Sequence, residues 1–167
     1  IQKAINFFSE NVISTQNSSS SGFKIATVLD SEIRNNESSY NGIGGSDHGF
    51  SMSGNKRVSF YNCSAIGNAG NGFSYSTLSS EGNSFYSCFA EGNTGDGFDL
   101  SGVVSLFSCR SFGNDLDGFE INVSSCILDA CIAKDNGGDG IEVSSGGDNA
   151  IIQNCFLSDN DAFGIDI

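Results

Sequence analysis

Residues 91–100 read EGNTGDGFDL. Three glycines, an asparagine and two aspartates surround one phenylalanine, which alone reads as a turn running into a short strand. The stretch has close variants: GNAGNGFSY (67–75), GNDLDGFEI (113–121), DNGGDGIEV (135–143) and DNDAFGIDI (159–167). The fold depends on whether these are copies of one unit in a fixed register.

Three columns answer that. The glycine before Phe or Ile falls at Gly49, Gly72, Gly97, Gly118, Gly140 and Gly164, with an earlier copy at Gly22. Cysteines fall at 63, 88, 109, 131 and 155, and asparagines at 68, 93, 114, 136 and 160. Both series step by 25, 21, 22 and 24 residues. Three independent columns in one register define a repeat.

Apolar residues complete each copy. Phe60, Phe85, Leu106, Leu128 and Ile152 precede the cysteines by three. Phe50, Phe73, Phe98, Phe119, Ile141 and Ile165 follow the glycines, and Met52, Tyr75, Leu100, Ile121, Val143 and Ile167 come two later. Each copy holds three short apolar-x-apolar stretches, the period of a strand with one face inward. The glycine is expected to give the turn before Phe a positive φ. A bend at Tyr61-Asn62 and its equivalents separates the second strand from the third.

Three strands in 21–27 residues cannot bury a face alone, whereas stacked copies can. The sequence therefore predicts an all-β fold: a single-stranded, right-handed parallel β-helix of about seven coils. The hand follows the right-handed rule for parallel crossovers, and coils should stack at roughly 4.8 Å. Residues 1–167 form one domain, with a weaker first coil over 1–21 and a last repeat that stops at FGIDI. Open solenoid ends expose unpaired strands, so flanking coils, caps or an oligomer are expected.

The pattern N-x-x-D-G-F-x-L…V-x-F-x-N-C-x-A-x-x-N resembles the right-handed β-helix repeat of the pectate-lyase-like superfamily over residues 22–167. The resemblance implies the fold. For function it implies a range: polysaccharide lyases, glycoside hydrolases, alginate epimerases, phage tailspikes and surface proteins without activity.

Composition narrows the classes. Hydrophobic residues are only 38%, but 14 Phe argue against disorder. The net charge is −13, and residues 91–167 carry 14 acids against two bases. A nucleic-acid partner needs clustered Lys and Arg, so none is expected. No apolar run approaches the length of a membrane span, so no insertion is expected either.

The cysteine column could suggest zinc or disulfides. Zinc ligands come in pairs two to four residues apart, and disulfides need Cβ atoms about 3.8 Å apart, closer than stacked coils allow. Cysteine here reads as a compact apolar filler. Cys126 lies on a neighbouring inward column with Val58, Val104 and Ala150. The asparagine column reads as an amide ladder closing the turn, or as a binder of sugar hydroxyls. Sequons at Asn17, Asn36, Asn62 and Asn122 are what so Asn- and Ser-rich a chain produces by composition.

The acids form two columns. Asp99, Glu120, Glu142 and Asp166 point outward from the Gly-Phe strand, and Asp96, Asp117 and Asp139 precede the glycines. By resemblance, this sheet and its preceding turn are where the superfamily's lyases hold calcium and its hydrolases hold catalytic carboxylates. Asp96, Asp99, Asp117, Glu120, Asp139 and Glu142 are thus candidate calcium ligands, since Ca²⁺ takes six to eight oxygens. No cofactor is required by the fold. Stacked carboxylates about 5 Å apart also match a retaining glycosidase pair. The alternative is a solvated face, which costs about 0.8 kcal/mol per neighbour before screening. Lyases need a base near the calcium, and this half of the chain offers only Arg110 and Lys134.

Asp47 and the single histidine, His48, end the longest turn, an insertion of about nine residues between Asn36 and Gly49. Long loops on rigid scaffolds often carry function. His48 also fits the Asn/Asp slot before the glycine, and the Asp-Pro-His pattern of the superfamily's epimerases is absent. Tyr61, Tyr86 and Phe107 form an outward aromatic column, with Phe89 nearby. Such columns meet sugars, other proteins or the same polypeptide.

Together these features predict a structural or binding segment of an extracellular, cell-surface or virion protein that contacts glycans. The alternative is a polysaccharide-active enzyme, a lyase or C5-epimerase ahead of a glycoside hydrolase.

Overall fold

Inward and outward residues alternate through each copy, and each copy lays down three strands before the chain returns one step higher. The computed structural model describes residues 4–43, 47–76 and 82–167. Every regular element in them is a short β-strand, and all pairings between strands are parallel. Sheet II takes the Gly-Phe strands: Phe23–Ala26, Phe50–Ser53, Phe73–Tyr75, Phe98–Leu100, Phe119–Ile121, Ile141–Val143 and Ile165–Asp166. Sheet I follows in each coil: Ala4–Ile5 with Phe8–Glu10, then Val28–Arg34, Lys56–Tyr61, Asn83–Tyr86, Val104–Phe107, Ile127–Asp129 and Ile151–Gln153. Sheet III closes it: Ile13–Thr15, Glu37–Ser39, Ser64–Ile66, Phe89–Glu91, Arg110–Phe112, Ile132–Lys134 and Phe156–Ser158. Six coils are complete, with a partial coil at each end of the described chain. The count of about seven from the repeat is therefore six plus these two parts.

Like lies over like. Phe73 is opposite both Phe50 and Phe98. Phe23, Phe50, Phe73, Phe98 and Phe119 form one stack with centroid spacings of 4.7, 4.8, 4.7 and 5.0 Å. Ile141 and Ile165 continue the column. Phe60 stacks on Phe85 at 4.6 Å, and Phe85 meets Phe73 and Phe98 edge-on. Each such aromatic pair adds about 0.5–1.5 kcal/mol to the burial term.

Cys63, Cys88, Cys109 and Cys131 are buried beside this stack, and all six cysteines are free thiols. The Sγ of Cys63 donates to the carbonyls of Tyr61 and, one coil back, Ile33, each at 3.5 Å. Burial pushes the Cys88 and Cys126 thiols up, while a hydrogen bond with Cys88 pulls its neighbour Cys63 down. The filler reading of the cysteines holds.

Left-handed backbone recurs at two corners in every described coil, and at the turn from sheet II to sheet I in most. Asn62, Ser87, Ser108, Ala130 and Asn154 turn sheet I into sheet III with φ of 50–56°. Gly67, Gly92, Gly113, Asp135 and Asp159 turn out of sheet III with φ of 56–62°. The glycines before Phe or Ile are not among the positive-φ residues, so the expected reason for them is wrong. Their role is close approach. A Cβ on Gly72 would lie 2.7 Å from the Gly97 carbonyl oxygen and 2.9 Å from the Ala90 Cβ.

An amide ladder closes the corner that leaves sheet III. Asn17, Asn41, Asn68, Asn93, Asn114, Asn136 and Asn160 pass one Nδ2–H to the next Oδ1 at 2.7–3.0 Å. Asn93 Nδ2 also donates to the Ala65 carbonyl, and Asn93 Oδ1 also accepts the Asn68 backbone N–H. The amides are thus spent inside the protein, with five of the seven fully buried. Asn41, not Asn36, belongs to this ladder, which corrects the extent of the long turn. Eight positions separate Asn41 from Gly49, against four from Asn68 to Gly72. Asn36 takes the slot that Cys63 fills one coil on, and residues 44–46 lie outside the described part.

Candidate functional site

The turn before sheet II carries a second ladder, made of unlike residues. Ser21 Oγ accepts the His48 N–H at 3.1 Å, and His48 Nδ1 accepts the Asn71 N–H at 3.0 Å. Asn71 Oδ1 accepts from Asp96, and Asp96 Oδ1 from Asp117, both at 3.0 Å. Asp117 Oδ1 accepts from Asp139, and Asp139 Oδ1 from Phe163, both at 2.6 Å. Each coil therefore needs one acceptor at this slot, and Ser, His, Asn and Asp all supply it. His48 occupies the slot as the second of its readings had it. Burial pushes its pKa down, against the charges of Asp99 and Asp47. Asp47 is half-buried and packs against Gly42 and Gly70.

Asp96 and Asp139 are only 5% and 8% exposed. Their carboxylates turn back to the neighbouring coil's backbone. Burial pushes the Asp96 carboxyl up to about 7, opposed by the Asp117 N–H.

Asp99, Glu120, Glu142 and Asp166 do stack on the outer face of sheet II. They are not equivalent. Asp99 Oδ2 accepts from Asn71 Nδ2 at 3.1 Å and Ser74 Oγ at 3.2 Å. A hydrogen bond with Asp117 holds the Glu142 carboxyl above its usual range, helped by partial burial. Among the described residues, no three of His, Cys, Asp and Glu are grouped so as to hold a metal ion.

The outward aromatics form a stack. Tyr61 and Tyr86 lie 4.9 Å apart with planes 10° from parallel, and Tyr86 and Phe107 lie 5.2 Å and 12° apart. The Arg34 guanidinium caps Tyr61 at 4.0 Å, a cation–π contact. Arg34 is also held by Glu32 Oε2 at 2.8 Å. Phe89 stands apart on sheet III and meets Phe112 edge-to-face at 5.6 Å. Sequence reasoning missed both Arg34 and Phe112. Arg34 was legible one coil before Tyr61 in the same column, but Phe112 breaks its column, which runs Ile66, Glu91, Phe112, Lys134.

Residues 100–167 match a family described as a right handed beta helix region. No curated protein gives a significant match. Three parallel sheets stacked coil on coil make the chain a parallel β-helix, similar over residues 100–167 to the right-handed β-helix family. The pectate-lyase-like superfamily is consistent with the fold and the match. The asparagine ladder runs back to Asn17, so the coil geometry extends well before the matched segment.

Proposed function

We propose that the chain is a structural and binding segment of an extracellular, cell-surface or virion protein, and that it contacts glycans. The observation that carries this reading is the set of half-buried aromatics on successive coils, along the outer faces of sheets I and III. Core packing places no demand on these outward positions, and exposed apolar surface on a rigid scaffold marks a contact face. The inward turn acids support a binding role over catalysis. Asp96, Asp117 and Asp139 each spend an oxygen on backbone amides, which leaves them less free to act on a substrate. The test is a screen of the 167-residue chain against immobilised neutral and acidic glycans, with released reducing ends and unsaturated products assayed in parallel. Binding without turnover is expected. No binding to any glycan would overturn the proposal, and turnover would replace it with the enzyme reading.

A further inference from the structure

We propose that the groove beside Phe112 is a saccharide subsite that takes an uncharged pyranose; this rests on the glycan reading above and narrows it to one place. Within the aromatic set that carries that reading, the Tyr61–Tyr86–Phe107 stack offers little open ring face. Its rings lie face to face, 4.9 and 5.2 Å apart, and Arg34 covers the free side of Tyr61. Inner faces so stacked are consumed, and only the far face of Phe107, over Asp129, has no ring against it. A sugar packs its C–H face on a ring face.

Phe112 is different. Its ladder neighbours are Glu91 and Lys134, neither of them aromatic. Its ring contact with Phe89 is edge-to-face, at 79° between planes, and such a contact occupies at most one face of Phe112. The side chain lines a surface groove of about 390 Å³ with Glu91, Gly92, Gly113, Lys134 and Asp135, within the range of small-molecule sites. The corner glycines keep that groove open. A Cβ on Gly92 would meet nothing within 4 Å, and one on Gly113 only the Asp135 carbonyl at 4.0 Å.

The rim decides the ligand's charge. Lys134 Nζ lies 3.0 Å from Asp135 and 3.9 Å from Asp159, so its charge is already compensated, and Glu91 leaves the groove net negative. A uronate or sulfated sugar is repelled. An uncharged pyranose matches on both counts, with a C–H face for Phe112 and hydroxyls that can donate to the carboxylates and accept from the ammonium.

The experiment is calorimetric titration of the 167-residue chain with oligosaccharides of glucose, mannose and galactose, with a polyuronate as the charged control. A neutral oligosaccharide should bind. Phe112→Ala and the fold-preserving Phe112→Leu should each weaken it by about tenfold, the scale of one aromatic contact. If a neutral sugar binds equally well to both Phe112 variants, the subsite is wrong and the glycan reading stands. If only the polyuronate binds, the subsite is again wrong. If nothing binds, both readings fall together.

Discussion

Asp117 accepts the backbone N–H of Asp139 through Oδ1 at 2.6 Å, one coil further along the rod. The bond uses the oxygen and not the charge. Asp117→Asn keeps an Oδ1 acceptor and removes repulsion from neighbouring acids, so stability should be unchanged or rise. Asp117→Ala leaves the amide without a partner and should cost about 1–3 kcal/mol. Urea denaturation of the two variants separates acceptor from charge.

The same ladder makes stability depend on pH. Asp96 is raised to about 7 by burial, while an unfolded aspartate titrates near 3.9. A group whose folded pKa is the higher one stabilises the fold when protonated, and that stability is lost as pH rises through the folded value. Melting temperature should therefore fall from about pH 4 to about pH 7 and level off above that, and Asp96→Asn should flatten that part of the profile.

Phe119 sits fully buried in the phenylalanine stack, with Phe98 at 5.0 Å and Ile141 on its other side. Phe119→Ala should cost about 3–5 kcal/mol, read from the denaturation midpoint. The outward Phe107→Ala, half-buried by comparison, should cost clearly less.

Two glycines should respond to alanine for different reasons. At Gly118 a Cβ would lie 2.6 Å from the Gly140 carbonyl oxygen and 2.7 Å from the Ala133 Cβ. Backbone must move there, at about 1–3 kcal/mol or more. At Gly92 there is open space but a φ of 60°, so Gly92→Ala should cost about 1–2 kcal/mol for the left-handed conformation alone. Thermal melts of both variants order the two penalties.

Calcium is tested by melting in millimolar CaCl₂ against MgCl₂ at equal ionic strength. Because Asp96, Asp117 and Asp139 are engaged with backbone amides, we expect both salts to raise the midpoint alike by screening the acids. A rise specific to calcium would assign the outer acids of sheet II as ligands.

The fold was legible because the ladder repeats: Phe over Phe, Cys over Cys and Asn over Asn leave a periodic trace in one dimension. What escaped reading was whatever breaks or disguises the period. Asn36 and Asn41 compete for one column, and only the hydrogen bond from Asn41 Nδ2 to Asn68 Oδ1 decides between them. His48, Asn71 and Asp96 look chemically unrelated, yet each accepts one amide at the same corner. The glycine column was found for its spacing and misread for its cause, since an approach to the next coil's carbonyl leaves no local signature. Phe112 was missed because its column holds no second aromatic.

The asparagine ladder also governs how such a rod can change length. Each amide is donor to one neighbour and acceptor from another, so a coil joins or leaves only as a whole unit that brings its own Asn, Gly and core residues. Length is then a counted quantity, altered in steps of one repeat. Smaller insertions belong in the turns, as between Asn41 and Gly49, where the chain can lengthen without breaking the amide chain on either side.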